Sequence, residues 1–387
     1  MQGVSKMRFH ALGIPHTITR EDYSACAFTQ KVLKWCRMMT RRGHTVFHYG
    51  HEHSDVECTE HVTVTTRADL ELAYGDYDWK KEFFKHDVSD HAHQTFYARA
   101  IAEIKQRKQP RDFILCFWGR GHTPVSDAHP DCIAVEPGIG YLHKFSTNFA
   151  VFESYSIMNQ TYGFCEAQPR WYDAVIPNYF DEKDFTVTLE PNDYYVFVGR
   201  LIPDKGVAIA VDITQKLGVK LKIAGQGDLK ALLGVDELPP HVEHVGYVEP
   251  VARNELMRHA RALFAPTHFN EPFGGVVVEA MMCGTPVITS DWGAFSEIVL
   301  HGTTGYRCRT MEHFLFAAKA APRLDRAEVA QWARANYSLE PVAVKYEEYF
   351  RMILDVYEGA GFYEYRQADT RQNLDWLTLR YPAQEKN

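Results

Sequence analysis

The stretch from Glu271 to Ser290, EPFGGVVVEAMMCGTPVITS, gathers residue types that can hold an anionic ligand. Pro272 and the paired Gly274 and Gly275 predict a tight turn whose bare backbone N–H groups open a helix, a geometry suited to phosphate. Gly284 predicts the end of that helix, and Pro286 prevents its return. Glu271 falls in the loop before the helix and Glu279 inside it. One carboxylate can therefore reach past a diphosphate toward a sugar, while the other reaches back toward a ribose. The sequence VVV before Glu279 and AMM after it make the helix very apolar, so an unpartnered carboxylate there would be costly.

A second signal is VFVGRLIPDKG, from Val196 to Gly206. A buried strand is predicted to end at Gly199, with Arg200 and Lys205 projecting from the following loop, where a diphosphate would lie. Two fixed cations can neutralise the charge that develops on a departing nucleoside diphosphate, work that a divalent metal does elsewhere. An Arg and a Lys in a loop are more often merely solvated; it is the conjunction of the two segments that points to chemistry.

The elements that would position these residues are α/β. Strand and helix patterns alternate through most of the chain, as in parallel sheets with crossover helices, and they do so twice. In the first half, MRFHALGI, TVFHYG, DFILCFWG and CIAVEPG read as strands. Helices are predicted from Cys26 to Arg42 and from Thr95 to Gln109, and residues 51 to 94 are polar and carry no clear pattern. The segment from 175 to 193 loses periodicity and gains Pro, Asn and acids, which predicts an interdomain linker. The second half restarts with YYVFVG, a helix from Val207 to Leu217, and the strands KLKIAG, VEHVGYV, ALFAPT and PVITS. The expected organisation is two Rossmann-like domains, 1–180 and 181–345, with the ligand in the cleft between them, and a helical tail from 346 to 387 returning to the first domain.

A chain of 387 residues with 45% hydrophobic content is long enough to bury two cores, which excludes a disordered protein. No stretch approaches the roughly 18 apolar residues of a membrane span, and the N-terminal MQGVSKMRFHALGI lacks a signal-peptide core, so a soluble, cytoplasmic protein is expected. The eight cysteines form no CxxC pair, and the histidine pairs His51/His53 and His91/His93 lack an HExxH pattern, so no metal site is expected. The net charge of −8 argues against a generally basic nucleic-acid surface. Two basic stretches remain, Lys31, Lys34, Arg37, Arg41 and Arg42, and Arg99 through Lys105, Arg107 and Lys108 to Arg111. They read first as solvated helix faces, and otherwise as a surface for an anionic acceptor, DNA or a membrane lipid. Trp35, Phe117 and Trp118 could stack on a base or sugar beside them, with core packing the expected role for most.

With both signals in place, the sequence resembles the C-terminal domain of the family 4 retaining glycosyltransferases, of GT-B fold. The resemblance covers residues 190 to 310, where VGRLIPDKG, KIAGQGD, VGYV, ARALFAPTHFNEPFGGVVVEAMMCGTPVITS and GAFSEIVLHGTTGY follow the family's order and spacing. It implies that Arg200 and Lys205 bind the diphosphate, Glu271 the sugar hydroxyls and Glu279 the ribose. Backbone groups at Phe273, Gly274 and Gly275 would line the sugar and phosphates, and Gly225, Gly227, Tyr247 and Val248 would lie close to the base. The N-terminal half departs further. GIPHTITREDY occupies the place of the family's glycine-rich acceptor loop without its paired glycines. VEPGIGY puts Glu136 at or near the place of a family histidine beside the reacting sugar, and His122 is the other candidate for that role. PNYFDEKDF resembles the hinge, with Tyr179 in place of the usual glycine.

The implied activity is sugar transfer from a nucleotide diphosphate, a UDP-sugar first, with GDP- and ADP-sugars open, by a metal-independent front-face displacement with retention. No cofactor beyond the donor co-substrate is expected, and the acceptor stays open among glycan, lipid-linked sugar, small molecule, protein and hydroxymethylated DNA base. A sugar-nucleotide epimerase and a silent sugar-nucleotide-binding module are the alternatives. The intact EPFGGVVVE set favours transfer over the first, and the four polar residues gathered on one cleft argue against the second.

Overall fold

The computed structural model describes residues 6–24, 26–76, 84–142 and 147–358. In the first half the elements are β1 (Arg8–Leu12), α1 (Ala27–Arg41), β2 (Thr45–His51), β3 (Glu60–Thr65), α2 (Arg67–Tyr74), α3 (His91–Arg107), β4 (Phe113–Leu115), α4 (Thr123–Asp127), β5 (Ile133–Ile139), β6 (Phe149–Phe152), α5 (Tyr155–Cys165) and β7 (Ala174–Val175). They build one parallel sheet in the order β3-β2-β1-β4-β5-β6-β7. The second half supplies β8 (Tyr195–Val198), α6 (Val207–Leu217), β9 (Leu221–Ala224), α7 (Leu229–Leu233), β10 (Val242–Gly246), α8 (Pro250–Arg258), β11 (Leu263–Ala265), α9 (Gly275–Met282), β12 (Val287–Ser290), α10 (Phe295–Ile298), β13 (Gly305–Cys308), α11 (Met311–Ala320) and α12 (Arg326–Tyr337). Its sheet is also parallel, in the order β10-β9-β8-β11-β12-β13. The chain thus forms two Rossmann-like domains, as the doubled alternation predicts.

Strands covered on both faces by crossover helices favour apolar residues; β4, β6 and β11 are apolar and buried at every position, while β2 is equally buried but carries Thr45, His48 and His51. The helices show one apolar stripe each. In α1, Val32, Leu33, Trp35, Cys36, Met38 and Met39 are buried, so Trp35 is a core residue, and Phe117 likewise. Each sheet reverses its winding once, at β1/β4 in the first and β8/β11 in the second. At such a reversal the flanking loops diverge and leave a crevice at the carboxyl ends of the strands.

Several elements differ from expectation. Residues 51 to 94 hold β3 and α2; β3 alternates exposed and buried positions at the sheet edge, and α2 opens on a capping box between Thr66 and Asp69. Helix α3 begins at His91 because the Asp90 side chain accepts from the His93 N–H there. Strand β4 stops at Leu115, and a single 3-10 turn follows at Gly119–His122, with Gly119 at φ 51°. The expected break before the tail at 346 falls inside one continuous helix, α13 (Leu339–Glu358); the remainder of the tail lies outside the described residues. A compact unit through Val342 contains both sheets.

Candidate functional site

The second sheet's reversal brings together the loop after β8 and the loop after β11. Lys205 stands at the end of the first, Glu271 in the second, and Lys205 Nζ donates to Glu271 Oε2 at 2.6 Å. The loops also bond through their backbones, His268 N–H to the Asp204 carbonyl at 2.8 Å. Glu271 is 8% exposed, so Lys205 meets it in a partly desolvated crevice, where a charge-assisted hydrogen bond is stronger than in water. Arg200 is exposed on the same loop and has no ion-pair partner among the described residues.

Immediately beyond Glu271 the chain enters α9 through Gly274, at φ 82° and ψ 56°, and the first-turn N–H groups of this eight-residue helix open toward the crevice. Phe273 lies beneath the turn, buried against Phe180 and Tyr337. The loop after β9 crosses directly over the loop after β8. A Cβ at Gly225 would stand 1.8 Å from the Gly199 carbonyl oxygen, and one at Gly227 2.7 Å from Leu201 Cβ. Tyr247 and Val248 follow β10 on the same side, and the Tyr247 hydroxyl meets Ser24 Oγ of the first domain at 2.9 Å.

Glu279, one face of α9 further on, has the partner its apolar setting demands: Arg253 of α8, at 3.1 Å. Sequence reasoning missed Arg253, because nothing in PVARNEL marks it off from a solvated helix cation. Beside the pair is a cavity of 530 Å³ between the domains, lined among others by Ser24, Lys34, Phe180, Arg253, Gly275 and Glu279. Lys34 Nζ sits 4.7 Å from the centre of the Phe180 ring. Burial pushes the Lys34 ammonium down, against the opposing charges of Glu279 and Asp184.

In the first domain both candidate residues, His122 and Glu136, are covered. His122 does not reach the cleft: it is fully buried, stacked on Phe96, and both ring nitrogens are used. Nδ1 accepts from the Trp118 N–H at 3.2 Å, so the proton must sit on Nε2, which faces the Gly13 carbonyl at 2.9 Å. Burial lowers its pKa to about 3, so the ring is a neutral tie between the loops after β1 and β4. Glu136 is 1% exposed on β5 and accepts from the Tyr141 hydroxyl at 2.9 Å, so its carboxylate is covered rather than open to a ligand.

The basic stretches are not free faces. Arg37 pairs with Glu21 and Asp181, Arg41 with Glu57 and Asp181, Arg42 with Glu340, and Lys31 with Glu153. In α3 and beyond, Arg99 pairs with Asp69, Arg107 with Glu60 and Glu103, and Lys108 with Asp131. Most of these partners are acids distant in sequence, which the local run of Lys and Arg could not show. At the hinge, the Tyr179 hydroxyl donates to the Lys31 carbonyl at 3.1 Å, fixing the linker to α1.

Residues 180–327 match the family model for glycosyl transferases group 1. Among curated proteins the chain is similar to glycogen synthase of Mycobacterium tuberculosis, 34% identical over 146 residues covering 35% of each chain. It is also similar to phosphatidyl-myo-inositol mannosyltransferase of the same organism, 35% identical over 148 residues, 35% of this chain and 39% of the relative. The matched region thus spans little more than a third of the length of these relatives. Three solved structures share the fold. They are a glycosyltransferase involved in avilamycin A biosynthesis (TM-score 0.63, 18% identity, covering 90% and 98% of the two chains), sucrose-phosphate synthase from Thermosynechococcus elongatus (0.65, 17%, 90% and 99%), and Anabaena HepE in complex with UDP-glucose (0.61, 15%, 90% and 99%).

Proposed function

From the premise that residues 180–327 form a group 1 glycosyl transferase domain within a GT-B fold, we propose that the protein is a retaining glycosyltransferase with a nucleoside diphosphate sugar as donor. The observation that carries this reading is the meeting of Lys205 and Glu271 across the second sheet's crevice, directly before the N terminus of α9. A diphosphate lying on the α9 N–H groups would take Lys205 and Arg200 as counter-charges, and Glu271 would turn its free lone pairs to the sugar hydroxyls. Glu279, oriented by Arg253, would accept from the ribose. The complex of HepE with UDP-glucose supports a uridine donor.

In the proposed reaction the C1–O bond to the diphosphate breaks with its electron pair passing to the phosphate, and the acceptor oxygen bonds to C1 on the same face. The acceptor proton passes to the departing phosphate oxygen, so no protein nucleophile is required. Arg200, Lys205 and the helix N terminus stabilise the developing charge, which makes the step independent of a divalent metal. Closure of the domains excludes the water that would otherwise hydrolyse the donor. Most of the described cations of α1 and α3 are paired with acids, which favours a neutral hydroxyl acceptor over a polyanion.

The test is a thermal-shift and donor-hydrolysis panel of UDP-, GDP-, ADP- and TDP-sugars with and without EDTA. Stabilisation by one nucleotide that survives EDTA is the expected result; no response to any nucleotide would sink the proposal.

A further inference from the structure

Three consecutive residues of the loop that carries Glu271 are held in place from outside it, and two of the three holds come from the other domain. The Pro272 carbonyl accepts from Ser154 Oγ at 2.6 Å. The Asn270 side chain accepts from Ser156 Oγ and donates to Gln160, each at 2.6 Å. Between them, the Glu271 carbonyl accepts from Ala294 N–H at 2.9 Å, at the entry to α10. Gly293 makes that approach possible, since a Cβ there would stand 2.6 Å from Glu271 N. Ser154 and Ser156 stand at the start of α5 and Gln160 one turn further along it, so the first domain grips the loop through the N-terminal half of one helix.

That helix end is itself secured by the second domain. A helix leaves its first N–H groups without internal partners. In α5 the Ser154 side chain takes the Ile157 N–H, and the carboxylate of Glu297, on α10, takes the two before it: Tyr155 N–H at 2.8 Å and Ser156 N–H at 2.7 Å. A carboxylate accepting two backbone N–H groups at a helix N terminus gains both charge-assisted hydrogen bonds and the favourable end of the helix dipole. Ser154 caps its own helix and simultaneously reaches Pro272, so displacing the α5 terminus must also release the loop. The sequence gives Glu297 only as one acid in GAFSEIV.

We propose that Glu297 is a positioning residue: by capping α5 across the cleft it latches the first domain onto the 270–272 loop and so sets where the Glu271 carboxylate stands. This inference rests on the transferase reading for its kinetic consequence, but not for its structural one. The Glu297 carboxylate is taken up by the Tyr155 and Ser156 N–H groups and is not among the groups assigned to the donor. Its loss should therefore act on the chemical step, through Glu271, more than on nucleotide affinity, which depends on Lys205 and the α9 terminus.

The experiment compares wild type with Glu297→Ala and Glu297→Gln in two measurements. Small-angle scattering on the ligand-free protein reads domain separation without any activity, and the expected result is a larger radius of gyration for Glu297→Ala than for wild type. Donor turnover and UDP affinity are then measured separately. Glu297→Ala is expected to lower kcat roughly tenfold, with UDP affinity within about twofold of wild type. Glu297→Gln, which keeps an acceptor oxygen but not the charge, should fall between them. Unchanged scattering with unchanged kcat overturns the latch, as does a parallel loss of turnover, nucleotide affinity and melting temperature, which would mark a folding role. Should wild type turn over no donor, the transferase reading fails by itself, and the scattering result alone decides the latch.

Discussion

Lys205 and Glu271 pair at 2.6 Å, and this pairing governs how their substitutions should read. In the proposed donor complex the diphosphate would share Lys205 with Glu271, redirecting a standing ion pair. Glu271→Ala removes the sugar contact but leaves Lys205 wholly to the phosphates. Turnover should therefore fall by roughly 10², while affinity for the free nucleoside diphosphate is held or improved. Lys205→Ala should lower both turnover, again by roughly 10², and affinity, since it leaves Glu271 as an unpaired anion facing the phosphates. The double variant should cost less than the sum of the two, because the partners are in direct contact. Calorimetric nucleotide binding beside kcat for the three proteins checks this; near-native turnover in both single variants would remove the assigned roles. The same scale shows what could be read in advance. Glu271 and Glu279 stood out in the sequence because they flank the Gly274 turn, and Lys205 because it closes the loop after a predicted strand; that Lys205 and Glu271 meet is a fact of the fold. The role of His122 was not legible, because its function depends on a backbone N–H four residues away and on Gly13, more than a hundred residues earlier, which together fix its tautomer and bury it. Arg253 and Glu297 escaped for the same reason, each meeting its partner only in the folded chain.

At the level of elements, the second domain was readable because its strands are short apolar runs closed by glycine or proline. Of the unread elements, β3, α2 and β13 lie at sheet edges or carry polar side chains on partly exposed faces, where the apolar signal weakens, whereas β6 is apolar and buried but only four residues long, too short for a period to show. The glycines that end these elements differ in what they permit, and the difference is testable. Gly218 closes α6 at φ 64° with nothing within 4 Å of a prospective Cβ, so Gly218→Ala should cost only the left-handed backbone penalty of about 1 kcal/mol. Gly225 stands at φ 153° with a prospective Cβ 1.8 Å from a backbone oxygen, and neither loop can yield without moving the strand end that carries it. Gly225→Ala should therefore cost more, on the order of 3 kcal/mol, and should also weaken nucleotide-induced stabilisation because the displaced segment begins with Arg200. Urea denaturation of both variants, with and without UDP, measures this. Equal losses in the two would mean that the crossing of the β8 and β9 loops is not rigid.

Across the whole molecule, the buried imidazoles divide the two domains by their response to acid. Burial holds His48 and His122 at about 3 and His51 at about 4, and drives His16 well below its ordinary 6.5, with burial the largest cause in each case. All four lie in the first domain. In the unfolded chain each takes up its proton near pH 6.5, whereas the folded protein refuses it until far lower, so the unfolded state binds more protons throughout that interval. The stability they represent is complete above about pH 6.5 and is lost progressively as pH falls toward 4 and 3, at about 1 kcal/mol per pH unit for one fully titrating group. Asp69 and Asp90 act in a different window. Burial alone would raise them, but hydrogen bonds from Thr66 and Arg99 to the first, and from Tyr74 and His93 to the second, outweigh it and hold both at about 2. Their contribution is intact above the ordinary 3.8 and fades only below it, so it cannot mask the imidazole effect between pH 7 and 5. The first sheet should therefore soften before the second on mild acidification: amide exchange of β1, β2 and β4 should accelerate between pH 7 and 5, after correction for intrinsic rates, while β8, β11 and β12 keep their protection. His122→Asn, which still can bond Gly13 but does not titrate, should flatten that dependence. Simultaneous loss of protection in both sheets would show instead that the interdomain contacts, Ser24 with Tyr247 and Glu297 with the α5 terminus, couple the domains into one unfolding unit.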